Sequence, residues 1–200
     1  MKAGLMLAVN PEAEREENDF YATDPYAVYK MRSMWDEIGL STYIWECACG
    51  QGHLAKAFNE LGYCVRATDL IDRDNSGLTV DFLSCDKDNW AWGGDIVTNP
   101  PFKYATEFID KSMELIDDGH LACFLLKVQF LETTKRADLF NRCGLKYVIV
   151  NSERICCAKN GEFDKYFKKG ANGAYKGGTQ LYCWFVFQKG YDGEPIIKFV

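Results

Sequence analysis

The sequence has no apolar run long enough to span a membrane, no Cys-x-x-Cys pair and no internal repeat. A transmembrane helix needs about 20 consecutive apolar residues, so none is expected. Nine cysteines are present, but most lie inside predicted strands or helices, where a free cysteine packs as a small hydrophobic side chain. Without paired spacing we expect neither a metal site nor a disulfide framework, and reduced thiols indicate a cytoplasmic protein.

The sequence also lacks an excess of positive charge. Its 29 acidic and 23 basic residues give a net charge of −6, which argues against a dedicated nucleic-acid-binding surface. One exception is segment 151–178, where Arg154, Lys159, Lys168 and Lys169 are candidate substrate contacts. A local basic patch can bind phosphates on an acidic protein, although a solvated loop accounts for this charge equally well.

Alternating strand-like and helix-like segments predict an α/β domain with a mostly parallel sheet. Residues 1–18 are acidic and lack periodicity, so we expect an N-terminal arm followed by one domain over residues 19–200. Strands are predicted over residues 43–48, 62–69, 78–83, 96–98, 119–128, 145–150 and 179–188, and helices over residues 25–38, 53–61, 103–117 and 131–142.

The most informative motif follows the apolar strand at residues 96–98, which ends abruptly in Asn99-Pro100-Pro101-Phe102. The prolines cannot donate to a β-ladder and fix their φ angles, so they form a rigid platform at the C-terminal end of the strand. Ligands of open α/β sheets bind at this edge. An amide and a neighbouring carbonyl can accept two hydrogen bonds from one amino group, and a ring can stack on a planar base. A proline-rich turn without function is the alternative.

A second motif is the strand, glycine turn and helix of residues 43–61. In Cys49-Gly50-Gln51-Gly52 the glycines allow close approach of the backbone, and the following helix offers unpaired N–H groups. The loop has neither the third glycine of Gly-x-Gly-x-x-Gly nor the Gly-Lys-Ser/Thr of a P-loop, which disfavours a ligand with a pyrophosphate.

Acidic residues end the predicted strands around this loop. Glu46 precedes the loop and suits a ligand that carries positive charge. Asp69 follows about twenty residues after the loop, where α/β folds place the carboxylate that holds ribose hydroxyls. At the end of the third strand, Asp81 can meet an adenine amino group and Phe82 the adenine ring.

In this order, the glycine loop and the Asn-Pro-Pro-Phe motif resemble S-adenosylmethionine-dependent N6-adenine DNA methyltransferases, in particular their small phage-encoded members. Asp19-Phe20-Tyr21-Ala22-Thr23-Asp24-Pro25 is similar to the N-terminal cofactor motif of that family. The resemblance spans residues 19–188. It implies a Rossmann-like class I methyltransferase with a seven-stranded, mostly parallel sheet, an antiparallel last strand and helices on both faces. A bacterial or phage-infected cell is the implied setting.

The resemblance implies S-adenosyl-L-methionine as the cofactor and DNA as the partner. Tyr21 and Thr23 would contact the cofactor. Its methionine end would be surrounded by Glu46, Cys49, Gly50 and Gly52. Its ribose would bind Asp69, and its adenine would lie beside Asp81 and Phe82. Asn99 Oδ1 and the Pro100 carbonyl would accept the N–H groups of the target amine, and Phe102 would stack on the base. No general base is required, so we expect His53 and His120 to be structural or exposed.

Larger members of that family carry a separate target-recognition domain, for which this sequence has no room. Recognition would then depend on segment 151–178 and the N-terminal arm. Two alternatives remain open. RNA or protein-glutamine amino-methyltransferases also use Asn-Pro-Pro with an aromatic residue, and the acidic net charge suits a protein acceptor. The second alternative is a non-catalytic accessory protein that binds the cofactor, although the presence of Asn99 and Phe102 disfavours it.

Overall fold

The computed structural model describes residues 20–74 and 76–200, so the predicted arm of residues 1–18 lies outside the described residues. The strands are β1 (Tyr21–Thr23), β2 (Tyr43–Glu46), β3 (Cys64–Asp69), β4 (Leu78–Thr79), β5 (Asp95–Thr98), β6 (Leu121–Lys127), β7 (Leu145–Val150), β8 (Cys157–Lys159), β9 (Lys168–Lys169), β10 (Tyr175–Lys176), β11 (Tyr182–Gln188) and β12 (Ile196–Phe199). The helices are α1 (Tyr26–Tyr29), α2 (Arg32–Ile38), α3 (His53–Glu60), α4 (Lys87–Trp90), α5 (Ala105–Leu115), α6 (Thr134–Cys143) and α7 (Phe163–Tyr166). No helix in this part of the chain is long and apolar enough to cross a membrane.

Eight strands form one sheet in the order β12-β7-β11-β6-β5-β2-β3-β4. Strands β4, β3, β2, β5 and β6 are parallel, and β11 inserts antiparallel between β6 and β7. The predicted Rossmann-like sheet with an antiparallel strand is therefore confirmed. The expected count of seven strands was one too few, because β12 adds to the edge of the sheet, parallel to β7.

The central strands are apolar on both faces because helices and loops cover both sides of the sheet. In β11 the side chains alternate as the pleat requires. Phe185 and Phe187 pack in one half of the core with Trp45, whereas Trp184 packs in the other half with Trp35. Strand β5, which leads to the Asn-Pro-Pro-Phe motif, is buried along its whole length. That burial anchors the start of the motif to the core of the sheet.

Two predicted elements are shorter than expected. The strand predicted over residues 78–83 ends at Thr79, and Phe82–Ser84 forms a 3₁₀ turn. The Asp81 carboxylate accepts the Leu83 N–H at 3.0 Å, a local bond that competes with the sheet ladder. The helix predicted over residues 25–38 divides into α1 and α2.

Segment 151–178, predicted as a substrate loop, contains regular structure. Strand β8 pairs antiparallel with β1, which places Cys157 opposite Thr23. Strands β9 and β10 form a short hairpin. Within this segment the rings of Phe163 and Tyr175 stack with centroids 4.8 Å apart. The segment therefore holds the N-terminal strand β1 against the domain.

Candidate functional site

A cleft lies at the C-terminal ends of β2 and β5, between the sheet and the segment that contains β1. Five of the predicted site residues line it: Tyr21, Thr23, Glu46, Cys49 and Asn99. They come from three separate parts of the sequence, and the parallel sheet and the β1–β8 pairing bring them together. The structure therefore places the N-terminal motif, the end of β2 and Asn99 of the Asn-Pro-Pro-Phe motif around one cleft.

The glycine loop between β2 and α3 requires glycine at two positions. Gly50 and Gly52 have φ angles of 54° and 74°, in the left-handed region that disfavours other residues. A Cβ atom on Gly50 would lie 2.0 Å from Cε2 of Phe20. Phe20 therefore packs directly on the loop, a contact that the sequence did not reveal.

Asp69, at the end of β3, is fixed to the glycine loop. Its Oδ2 accepts the Gly50 N–H at 2.7 Å, and its Oδ1 accepts the Ile71 N–H at 3.0 Å. Each carboxylate oxygen can accept a further hydrogen bond. Asp69 is thus held in place and keeps acceptor capacity for a ligand.

Glu46, at the end of β2, is only 2% exposed, and its Oε2 has no hydrogen-bond partner. Burial, with the nearby charge of Asp69, raises the pKa of this carboxyl well above its usual value, while a bond from the Ala55 N–H opposes the shift. A buried acid with an unused oxygen is a site for a cationic group, which would restore the charged form.

Asn99 follows β5 with its amide held in one orientation. Its Nδ2 donates to Thr23 Oγ1 at 2.9 Å, and its Oδ1 is buried without a partner. Buried polar atoms are rarely left unpaired, so an unpaired acceptor at a cleft indicates where a ligand donor binds. The amide oxygen can therefore accept an N–H group from a ligand.

The orientation of Asn99 depends on a chain of side chains. Thr23 lies opposite Cys157 in the β1–β8 ladder, and its hydroxyl hydrogen-bonds to the Cys157 sulfur. Burial raises the pKa of Cys157 to about 12, so this residue is a thiol at neutral pH. Tyr182 also hydrogen-bonds to Cys157. The Thr23 hydroxyl oxygen accepts the hydrogen bond from Asn99 Nδ2 and the same hydroxyl lies against the Cys157 sulfur, so β1 and β8 together fix the amide.

We expect Thr23→Val to release the Asn99 amide and slow the reaction of this site about tenfold, the cost of losing one hydrogen bond at a reacting centre. Valine keeps the shape of threonine, so the melting temperature should change little. Thr23→Ser should retain most of the rate because it keeps the hydroxyl. Steady-state kinetics of the three proteins would decide, and equal rates for Thr23→Val and wild type would contradict this role.

Phe102 lies three residues after Asn99, is not among the residues that line the cleft, and is 38% exposed. Its ring stacks on Tyr182 with centroids 6.0 Å apart and an angle of 24° between the planes. The Lys127 ammonium lies 4.8 Å from the Phe102 centroid. Pro100 is buried and Pro101 is exposed, as expected for a turn that leaves the sheet. Tyr182 belongs to β11, far away in sequence, so no local pattern indicated this pair.

The expected contact of the Phe82 ring with a cofactor adenine needs correction. Phe82 is 2% exposed and packs in the core, 5.2 Å from the ring of Trp45 and 5.0 Å from that of Phe108. An apolar ring after a strand-end acid fills the core here because the chain turns inward in the 3₁₀ segment. Asp81 is exposed, and its carboxylate binds the Leu83 N–H and the Ser84 hydroxyl.

The candidate basic contacts occupy different settings. Arg154 donates to the Thr179 carbonyl at 2.7 Å, which gives it a structural bond. Lys159 lies opposite Tyr21 in the β1–β8 ladder, near the cleft. Lys168 and Lys169 are exposed on β9, and Lys168 lies opposite Lys176 of β10. Like charges that face each other across a ladder repel, and an anion would relieve that repulsion.

The two histidines have different positions. His120 Nδ1 lies 2.8 Å from Asp95 Oδ1 at the N-terminal end of β5, away from the cleft, in agreement with a structural role. His53 lines the cleft, and its Nδ1 is buried without a partner. Its position directly after the Gly-x-Gly sequence, as the first residue of α3, was the signal that could have identified it. Among the described residues, no group of His, Cys, Asp and Glu is arranged to hold a metal ion.

No protein-family model matches the sequence, and no curated protein sequence matches it. Solved structures do match. The type IIG restriction endonuclease BpuSI aligns with a TM-score of 0.60 and 16% identity, over 90% of this chain and 27% of the endonuclease. A candidate class I S-adenosylmethionine-dependent methyltransferase from Listeria monocytogenes aligns with a TM-score of 0.59 and 13% identity, over 90% of this chain and 65% of that chain.

A candidate RNA methyltransferase from Pyrococcus horikoshii aligns with a TM-score of 0.52 and 10% identity, over 84% of each chain. The present chain thus spans little more than a quarter of the endonuclease and about two thirds of the Listeria protein. At these identities the alignments report on architecture. They establish that this chain has the Rossmann-like fold of the class I methyltransferases.

Proposed function

We propose that this protein is an S-adenosyl-L-methionine-dependent methyltransferase that acts on an exocyclic amino group, with N6 of adenine in DNA as the target. The observation that carries this proposal is the amide of Asn99. Its nitrogen is bonded to Thr23, and its buried oxygen has no partner beside a cleft of the methyltransferase fold. An acceptor fixed in this way suits an amino group, which has two hydrogens to donate.

The residues of the cleft fit the proposed cofactor. Glu46 presents an unused buried oxygen to a positively charged group, and Asp69 can accept ribose hydroxyls. Between them, the left-handed glycines let the backbone of the loop approach a ligand closely. When bound, the cofactor supplies a methyl group on a sulfonium, which is an inherently good donor. Methyltransferase descriptions of neighbouring structures support the same assignment.

The protein's main task is then to orient a weak nucleophile. The lone pair of an adenine amino nitrogen is delocalised into the ring. Hydrogen bonds to Asn99 Oδ1 and to the Pro100 carbonyl hold the two N–H groups and favour a nitrogen whose lone pair points out of that plane. Phe102, which is partly exposed and held by stacking on Tyr182, would stack on the base. Positioning of this kind supplies the rate without a dedicated general base, and the methylated nitrogen then loses its extra proton to solvent.

DNA is favoured as the acceptor by two observations. BpuSI is described as a restriction endonuclease, an enzyme class that acts on DNA. The β9–β10 hairpin presents Lys168 and Lys169 to solvent in the same segment that supports the cleft through β8. A duplex substrate would have to flip its target base out of the stack to reach Asn99. The description of the Pyrococcus protein as an RNA methyltransferase makes RNA the second candidate.

The acceptor is tested by incubating the protein with tritiated S-adenosylmethionine and, separately, unmethylated DNA, RNA and a glutamine-containing protein extract. Our proposal predicts label in DNA, recovered as N6-methyladenine after digestion to nucleosides. Label in RNA or protein alone would contradict DNA as the acceptor but would still support methylation of an amino group. Cofactor binding without label in any acceptor would support the non-catalytic alternative.

We expect the double variant Lys168→Ala/Lys169→Ala to weaken DNA binding. Each lost phosphate contact should reduce the slope of log affinity against log salt by about one. Affinity for S-adenosylhomocysteine should not change, because neither lysine lines the cleft. Lys87→Ala is the control for the loss of an exposed lysine, since Lys87 lies on α4 outside segment 151–178 and pairs with Asp117. Equal salt slopes for the double variant and wild type would exclude these contacts.

A further inference from the structure

Two further polar atoms in the cleft are buried without partners: Glu46 Oε2 and His53 Nδ1. They lie on either side of the glycine loop, because Glu46 ends β2 and His53 begins α3. The N–H of Ala55, in the first turn of α3, bonds to the Glu46 carboxylate. Glu46 and the start of α3 are therefore in direct contact, and both residues line the same cleft.

The two atoms differ in what they can bind. The free Glu46 oxygen is an acceptor inside a buried site and suits a cation. His53 is the first residue of an eight-residue helix, and the helix dipole favours an anion at this end. His53 therefore suits an anion and Glu46 suits a cation. Together they suit a zwitterionic ligand, such as the α-amino-acid group of an amino-acid derivative.

We propose that His53 donates its Nδ1–H to the α-carboxylate of the cofactor's methionine group while Glu46 accepts the α-ammonium group. This inference rests on the proposed function, because it requires that the cleft bind S-adenosylmethionine. It assigns to His53 a binding role that neither the motif nor the fold comparison gives it. The pair makes the cleft selective for ligands with an intact amino-acid end over the nucleoside part alone.

The orientation of His53 is maintained by segment 151–178. The His53 ring contacts Phe163 edge to face, with centroids 5.5 Å apart. Phe163 is itself buried and stacked on Tyr175. Asp24, which follows β1, accepts the Tyr175 N–H at 2.8 Å. The side chains that fix the ring are thus tied to the same β1 region that supports Thr23.

Charged groups around His53 set its response to pH. Burial and the charge of Lys56 lower the pKa of His53, and Asp74 opposes them. A bound carboxylate stabilises the imidazolium and raises this pKa. The gain in affinity is therefore full below the pKa of His53 in the free protein and is lost as pH rises through its pKa in the complex.

Glu46 responds in the opposite direction. Burial and Asp69 raise its pKa, and the thiols of Cys47 and Cys49 are its other titratable neighbours. A bound ammonium lowers the pKa of Glu46, so affinity rises as pH rises through the pKa of Glu46 in the free protein. Affinity against pH should therefore show a rising limb that Glu46→Gln removes and a falling limb that His53→Phe removes.

The direct test is calorimetric titration with two ligands, S-adenosylhomocysteine and methylthioadenosine, which lacks the amino-acid end. His53→Phe keeps an aromatic ring against Phe163 but removes the donor, so it should weaken S-adenosylhomocysteine binding about tenfold to hundredfold, as for a hydrogen bond to a charged group. Methylthioadenosine binding should not change. His53→Asn places an N–H near the Nδ1 position and should recover part of the loss.

Other outcomes are equally decisive. Unchanged binding of S-adenosylhomocysteine to His53→Phe would overturn the role of His53 and leave the proposed function intact. An equal loss for both ligands would also overturn it, because that result indicates a structural role. If the wild-type protein binds neither ligand, the inference and the proposed function fail together.

Discussion

Replacing Asn99 with alanine should abolish methyl transfer while leaving cofactor binding intact. The substitution removes the buried amide oxygen that has no partner within the structure. Loss of one preorganised polar group at a reacting centre typically costs about a hundredfold or more in rate. The fold should tolerate the substitution, because the hydrogen bond seen for this side chain is the one from Asn99 Nδ2 to Thr23, and its loss removes no core packing. Single-turnover methyl transfer and titration with S-adenosylhomocysteine measure the two effects separately.

Asn141→Ala is the matched control for this experiment. Asn141 is an exposed asparagine on α6, and its substitution should leave rate and cofactor affinity at wild-type values. If Asn99→Ala retained the wild-type rate, the amide would not contact the acceptor. If it lost the cofactor as well, Asn99 would serve the cofactor or the fold instead.

Asp69→Ala should weaken cofactor binding about a hundredfold. The carboxylate is expected to hold two ribose hydroxyls, and a hydrogen bond to a charged group contributes about 1.5–3 kcal/mol. The variant also leaves the N–H groups of Gly50 and Ile71 without their acceptor, so the glycine loop loses its anchor to β3. We therefore expect a lower melting temperature together with the weaker binding of S-adenosylhomocysteine.

Asp69→Asn separates the two effects. The asparagine keeps one acceptor oxygen and should recover part of the stability, but it lacks the negative charge and should still bind the cofactor weakly. Asp192→Ala, at an exposed aspartate after β11, controls for a change in net charge. Cofactor affinity unchanged in Asp69→Ala would remove this residue from the site.

Much of the parallel core was predictable because its signals are local. The run of apolar residues in β5 and the prolines that follow it define both the strand and its end, and so they place Asn99 at the ligand-binding edge. Glu46 and Asp69 end neighbouring strands, and parallel strands align their carboxyl ends on one edge. For these residues, order in the sequence is enough to predict proximity in the fold.

The remainder depends on contacts between distant segments. Nothing near Thr23 indicates that it pairs with Cys157, and nothing near Phe102 indicates that Tyr182 stacks on it. Phe82 was misplaced because an aromatic residue after a strand fits a ligand or the core equally well, and only packing against Trp45 decides. Strand β12 is short and forms by parallel pairing with the edge of β7, which no local sequence pattern indicated.

The most direct test of adenine methylation is mass spectrometry of nucleosides from unmethylated DNA that has been incubated with the protein and S-adenosylmethionine carrying a deuterated methyl group. We expect deuterated N6-methyladenine with the wild-type protein and none above background with Asn99→Ala. Absence of the deuterated methyl group from every base, with a protein shown to bind S-adenosylhomocysteine, would contradict the assignment of adenine in DNA as the acceptor.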